Sequence, residues 1–419
     1  MAADPVARAI EAVFRIEKAR LIAGLARMTR DLDQAEELAQ DVLVTAMTEW
    51  PARGIPDNPG AWLFAAAKRR AIDGMRRRAM LDRRHQEIRL RQEERDDAAE
   101  RVEAAVDDEI GDELLGLIFT ACHPILSREA RAALTLRLIG GLTTDEIARA
   151  FLSAEPTVAQ RIVRAKKTIA KAGLSFEVPR GAEKEARLSS VLEVVYLIFN
   201  EGYAATAGED LTRPSLCTEA LRLGRILAGL APQEPEALGL LALMELQASR
   251  LAARTAADGS PISLTEQNRA RWDQLLIQRG LDALKRVEAL VGSAGPYALQ
   301  AAIAACHCRA RRSEETDWAR IADLYDRLVE ALPSPVVALN RAIAHSMAHG
   351  PERGLELLKG LSGVRALEGY APLPAAQGDF LYRAGRLRAA RAAFEEAAAL
   401  SGNAGERAFL LARADSCGG

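Results

Sequence analysis

The chain has 419 residues, with 56 Lys and Arg against 58 Asp and Glu for a net charge of −2, and 49 % of its residues are hydrophobic. At roughly 100–200 residues per domain this length predicts two or three domains, and an apolar content carried by Ala and Leu predicts an all-α fold. No stretch approaches the ~20 apolar residues that cross a bilayer, the N-terminus lacks the order of a signal peptide, and the cysteines (Cys122, Cys217, Cys306, Cys308 and Cys417) contain no C-x-x-C pair, so the chain reads as cytoplasmic, without disulfide framework or zinc ribbon.

The first predicted unit, residues 7–80, reads as three or four helices. Ile10, Val13, Phe14, Leu21, Leu25 and Met28 fall at helical spacing, as do Ala35, Leu38, Val42 and Ala46. A Pro/Gly loop is expected from Trp50 to Pro56. Asn58-Pro59 then gives a cap and a first helical position for a helix running to about Arg78. Residues 81–108 follow as an acidic linker. The neutral total hides this segregation: Ala61 to Arg91 holds ten Lys/Arg and three Asp/Glu, whereas Gln92 to Glu113 holds two and eleven. Charge complementarity leads us to expect that the linker can occupy a cationic surface, on a partner or on the chain's own basic helices.

The second unit covers residues 109–175. Ser127 is placed to cap a helix that Gly140-Gly141 ends, and Thr143 with Glu146 forms a capping box for a short helix to Phe151. A turn through Ser153 and Ala154 leads to Pro156 and a last, basic helix to about Lys171. Short helix, turn and longer basic helix is the helix-turn-helix layout. The remaining residues, 181–419, read as helices separated by Pro and Gly clusters. Gly378, Leu381, Gly385, Ala390, Phe394 and Ala397 match the small/large spacing of a tetratricopeptide repeat, and Trp318, Ile321, Ala322 and Tyr325 match half of another; a plain helical bundle is the alternative.

Two basic helices carry the chemistry. On the last helix of the second unit, Val158, Ile162, Ala165 and Ile169 form one apolar face, which leaves Thr157, Gln160, Arg161, Arg164, Lys167 and Lys171 opposite. Gln and Arg near a helix start can pair with base edges in a major groove, and Lys further along suits phosphate; a solvated basic face is the bland reading. The helix from Pro59 presents Trp62, Lys68, Arg69, Arg70, Arg76, Arg77 and Arg78, cations suited to a DNA backbone with an aromatic nearby. Trp62 also fits a core position. Cys306-His307-Cys308 carries no metal reading, because residues two apart on a helix point about 200° apart. No nucleophile–base pair or phosphate-binding Gly loop appears, so neither a catalytic residue nor a cofactor is expected.

The order of these segments resembles a known family. Asp31-Leu-Asp-Gln-Ala-Glu-Glu-Leu-Ala-Gln-Asp41, Asn58-Pro-Gly-Ala-Trp-Leu63, Ala66-Ala-Lys-Arg-Arg-Ala-Ile-Asp73 and Arg76-Arg-Arg78 resemble domain two of the sigma-70 family. Gly141-Leu-Thr-Thr-Asp-Glu-Ile-Ala148 and Thr157-Val-Ala-Gln-Arg-Ile-Val-Arg-Ala-Lys166 resemble its domain four, and the short linker resembles the extracytoplasmic-function group. The resemblance implies core RNA polymerase and promoter DNA as partners. It implies that Asp33, Glu36, Glu37, Gln40 and Asp41 dock on the polymerase clamp helices, with the last four as the exposed candidates. It further implies that the helix from Trp62 to Arg78 opens the minus-ten element, and that Thr157, Gln160, Arg161 and Arg164 read the minus-thirty-five element. Arg69 is a departure, standing where the family's helix often has Asn.

Leu197-Ile-Phe-Asn-Glu-Gly-Tyr203 and Gly295-Pro-Tyr-Ala-Leu-Gln-Ala-Ala-Ile-Ala-Ala305 resemble the tetratricopeptide-like tail of one subgroup, which implies a regulatory half that takes a signalling protein or ligand. Asn200, Glu201 and Tyr203 could line a pocket, although a helix ending at Gly202 explains them more simply. The competing readings are a helix-turn-helix regulator that does not engage polymerase and an enzyme site assembled in space within the C-terminal half.

Overall fold

The computed structural model describes residues 5–87, 110–151, 153–203, 212–256, 262–290, 294–361, 363–402 and 404–418, and among them every long element is a helix. They form two compact units, Met1–Val194 and Val195–Gly419. The acidic segment from Gln92 to Asp108 lies outside the described residues.

In the first unit, α1 (Pro5–Thr29) packs against α2 (Leu32–Arg53), α3 (Pro59–Glu87) and α4 (Ile110–Ala121). The α1–α2 turn is tight because Arg30 adopts a left-handed φ of 55° and the Asp31 carboxylate accepts the N–H groups of Asp33 and Gln34 at 2.8 and 3.1 Å. The expected loop from Trp50 does not begin there. Helix α2 continues through Pro51, since a proline in the last turn forfeits only one ladder hydrogen bond and buried Trp50 holds that turn, edge-on to Trp62 with ring centroids 5.3 Å apart. Gly54, at a φ of 84°, is the stop, and its N–H donates to the Trp50 carbonyl. Helix α3 begins as its sequence predicts, with Asn58 Oδ1 accepting the Ala61 N–H at 3.1 Å, and runs past Arg78 to Glu87.

Helix α4 joins the bundle to the helices that follow, packing on both α1 and α5 (Arg128–Leu138). Its Gly116 permits a backbone strap: an added Cβ would lie 2.0 Å from the Phe176 carbonyl oxygen, and Thr120 Oγ1 donates to the Ser175 carbonyl at 3.1 Å. Phe176 is buried there, in contact that stabilises by roughly 1.5–3 kcal/mol. Ser127 caps α5, and the box of Thr143 and Glu146 on α6 (Thr144–Ala150) is complete in both directions. Helix α7 (Glu155–Lys171) follows with Pro156 in its first turn. The first part of α8 (Ala182–Tyr203) is tied to α5, where buried Arg131 donates to Ser190 Oγ and to Glu193.

The second unit is a succession of helices that pack on their sequence neighbours: α9 (Pro214–Leu230), α10 (Pro235–Ala248), α11 (Gln274–Leu290), α12 (Pro296–Arg309), α13 (Trp318–Ala331), α14 (Pro335–His349), α15 (Pro351–Lys359), α16 (Pro372–Arg383), α17 (Leu387–Leu400) and α18 (Ala404–Asp415). Six of them start on proline, whose missing N–H costs nothing in a first turn. Close approach falls where small residues were expected. A Cβ on Gly378 would meet the Phe394 ring at 2.9 Å, and Ala390 and Ala397 are buried on the same seam. Glu236 of α10 caps a different helix, accepting the Tyr297 and Ala298 N–H groups at the start of α12 at 2.9 and 3.2 Å. Of the residues near the end of α8, Glu201 pairs with Arg213 and Tyr203 stacks on Phe199, with the Arg254 guanidinium 3.8 Å from its ring centroid.

Cys306 packs with Leu299, Ile303 and Ile321, whereas Cys308 packs against the group around Leu246 and Trp272. The two sulfurs therefore belong to separate cores. His307 between them lies edge-on to Trp318, and burial, with Arg250 and Arg269 adding to it, pushes its pKa down to about 3. A depressed folded-state value means stability that is present above the ordinary value of 6.5 and is lost as pH falls toward about 3. His307→Phe should therefore remove a loss of about 2 kcal/mol that the native chain suffers between pH 7 and 5. Urea titrations at the two pH values check this, and parallel acid limbs for both proteins would refute it. In the first unit, Gly116→Ala should cost about 1–3 kcal/mol by driving the strap off α4. Gly74→Ala, in open space within α3, should instead gain up to about 1 kcal/mol. Thermal melts of both variants test the contrast.

Candidate nucleic-acid interface

The four apolar residues expected on one face of α7, Val158, Ile162, Ala165 and Ile169, are all buried against the preceding helices. That packing fixes the rotation of the helix. Thr157, Gln160, Arg164 and Lys167 are consequently exposed, with Arg161 half-buried beside them. Thr157, Gln160, Arg161 and Arg164 border a groove of about 340 Å³ whose other wall is Ile125, Leu126 and Ser127 at the start of α5. Among the described residues Arg161, Arg164, Lys167 and Lys171 make no ion pair. Although Arg161 also acts on Glu129, this face offers guanidinium and ammonium groups and a side-chain amide in a row, a donor set that suits phosphate and the acceptor edges of bases.

Helix α3 presents Arg69 and Arg76 to solvent, with Lys68 half-buried. Arg77 and Arg78 lie within the helix, but their side chains are outside the described residues. Trp62 is half-buried through its contact with Trp50, so part of its ring serves the core. Arg70 is engaged with α2, donating to Thr45 Oγ1 at 2.7 Å and standing 3.6 Å from Asp41.

On α2 the expected acidic residues do not all face outward. Asp33, Glu37, Gln40 and Asp41 are exposed, but Glu36 is 6 % exposed and lies inside a charge cluster. The correction has a simple cause. Glu36 shares the face of Leu32, Ala35 and Ala39, all buried, and two cations from the second predicted unit close over it. Lys166 of α7 reaches both Glu36 and Asp33, the latter at 2.8 Å, and Arg137 Nε of α5 stands 3.6 Å from Glu36. Burial acts to lower the Lys166 pKa, but the hydrogen bonds to Asp33 and Glu36 outweigh it and hold the ammonium above its ordinary value. Lys18 of α1 completes the cluster, its pKa lowered by burial and by Arg137.

Two apolar side chains that periodicity passed over stand on the open side of α2: Val44, 64 % exposed, and Met47, 46 % exposed. They fall off the Ala35-Val42-Ala46 face, which was the available sign. Val44 borders a groove of about 360 Å³ with Asp41, Thr48 and Arg70. A carboxylate beside exposed apolar area is a surface suited to a protein partner rather than to DNA.

Comparison with known proteins gives three matched segments. Residues 14–80 match the model described as Sigma-70 region 2, residues 117–169 match Sigma-70, region 4, and residues 187–288 match a family of unknown function (DUF6596). An uncharacterized protein of Rhizobium meliloti (strain 1021) is 40 % identical over 400 residues, covering 94 % of this chain and 92 % of its own length. No helix among the described residues is long and apolar enough to cross a membrane.

The exposed row on α7 generates a direct test. Arg161→Ala and Arg164→Ala should each weaken duplex binding, by about 1–3 kcal/mol where the guanidinium meets a base edge. Discrimination between cognate and scrambled duplexes should fall with it. Fluorescence anisotropy at fixed salt measures both, and unchanged discrimination in the double variant would assign the reading elsewhere.

Proposed function

Because the chain belongs to the sigma-70 family of transcription initiation factors, carrying a C-terminal extension, we propose that it binds core RNA polymerase through α2, opens the minus-ten element with α3 and reads the minus-thirty-five element with α7. The observation that carries this reading is the row of exposed Thr157, Gln160, Arg164 and Lys167 with half-buried Arg161 beside it, whose cations make no ion pair among the described residues. Trp62, Lys68, Arg69, Arg76, Arg77 and Arg78 serve the minus-ten contact. Asp33, Glu37, Gln40 and Asp41, with Val44 and Met47 beside them, serve the polymerase contact. The acidic and apolar stripe on α2 favours this over a DNA-binding regulator that never engages polymerase, since such a regulator has no use for it.

The C-terminal half acts as a regulatory domain of the extracytoplasmic-function type with a tetratricopeptide-like tail. Its neighbour-on-neighbour helix packing and the Gly378–Phe394 seam support that reading. Helices stacked in this way present extended surfaces that suit a signalling protein or ligand.

Reconstitution is the test. The full chain added to core polymerase should start transcription at specific sites in genomic DNA, and Val44→Asp with Met47→Asp should abolish the stable complex with core enzyme while leaving duplex binding in place. Duplex binding without any polymerase complex in the native chain would favour the regulator reading.

A further inference from the structure

Four tyrosines and two arginines come together in the second unit. Tyr196 and Tyr297 lie edge-on with ring centroids 5.6 Å apart, and both pack on the core that holds Leu246 and Ala253. Arg250 and Arg254 stand in the turn after α10 and hold their guanidinium groups against the Tyr203 ring, 5.6 and 3.8 Å from its centroid. Burial raises the Tyr196 phenol, and Tyr203 adds to that rise. Tyr325 of α13 is pushed up to about 12 by burial and by Tyr196, with Arg250 acting against both. We propose that this cluster binds a small organic anion, a carboxylate or phosphate carried on an apolar body, and that the C-terminal half takes its signal there.

The physical case rests on donors left without acceptors. Tyr203 is 7 % exposed, and its hydroxyl has no hydrogen-bond partner among the described residues. A buried hydroxyl in that state keeps its full desolvation cost. Arg250 and Arg254 are half-buried and pair with no carboxylate among the described residues. Other arginines of this unit are provided for: Arg213 pairs with Glu201, Arg225 with Glu245 at 2.9 Å, and Arg269 donates to the His307 and Ala310 carbonyls at 2.7 and 2.8 Å. Stacking on a ring face recovers part of what a guanidinium loses on leaving water, but it leaves the N–H groups unused. An oxyanion supplies the missing charge and accepts from guanidinium and phenol together. The tyrosine faces and the aliphatic core beneath them suit the apolar body of such a ligand. Tyr196, Tyr297 and Tyr325 are half-buried like the two arginines, so the cluster reaches solvent over a limited area that suits a small molecule rather than a protein surface.

The use of the ligand rests on the regulatory reading of the C-terminal half, whereas its binding is measured independently. Benzoate and phenyl phosphate are the probes, with benzyl alcohol as the uncharged control. Ligand-observed NMR on the full-length chain should show saturable binding of at least one anion and none of the alcohol, and the tighter anion tells carboxylate from phosphate. Tyr203→Phe removes only the hydroxyl and should weaken binding severalfold without lowering the thermal melt. Arg250→Met with Arg254→Met should weaken it at least about tenfold. No saturable binding of either anion, equal binding of the alcohol, or native affinity in both variants would each overturn the site while leaving the regulatory reading intact. In the reconstituted transcription assay the bound anion should change initiation by the native chain and not by the double variant. Binding with unchanged initiation would leave the site standing and overturn its regulatory use.

Discussion

The burial of one stripe of four residues on α7 governs what the first unit can do. Val158, Ile162, Ala165 and Ile169 drop into the seam made by α5 and α6, and once they are there the rotation of the helix is set. Every cation then takes a position that its spacing from the stripe dictates. Arg164 and Lys167 point to solvent, Arg161 lies at the edge, and Lys166, next to a stripe residue, is carried toward α2. The exposed basic face and the inward contact are consequences of the same packing.

The capping devices around that helix serve the same end. The reciprocal Thr143–Glu146 box fixes the start of α6, and the Ser153 N–H donates to the Ala148 carbonyl at 2.9 Å shortly before α7 begins. Gly116 admits the Phe176 strap, which holds the exit of the helix-turn-helix on α4, and α4 in turn packs on α1. In the second unit, by contrast, the chain relies on proline starts and close small-residue contacts. Most helices there pack on the next in sequence, and α10 packs on α12 as well as on α11.

Much of this was legible in the sequence because it is local. Asn58 before Pro59, Ser127, the Thr143–Glu146 box and the 3.6-residue apolar spacing on α7 are interactions within a turn or two, and all of them form. Pro51 misled because a buried tryptophan next to it outweighed the lost hydrogen bond, a tertiary effect that no local rule contains. Glu36 misled for a related reason. An acid in an acidic stretch is expected to face water, and only the meeting of α2 with α5 and α7, more than 90 residues later in the chain, supplies the cations that bury it. The Glu236 cap on α12 was likewise invisible, since its donors lie 61 and 62 residues away.

The central claim is that α7 and α3 read two separate promoter elements within one polymerase complex. Site-specific photocrosslinking tests it most directly, with a photoreactive residue placed at Gln160 in one protein and at Arg69 in another, each bound to core polymerase on a promoter. The account predicts that the probe at 160 couples to duplex DNA about the minus-thirty-five element and the probe at 69 to the minus-ten element. Coupling of both probes to one element, or no coupling from position 160 in a complex that initiates, would contradict it.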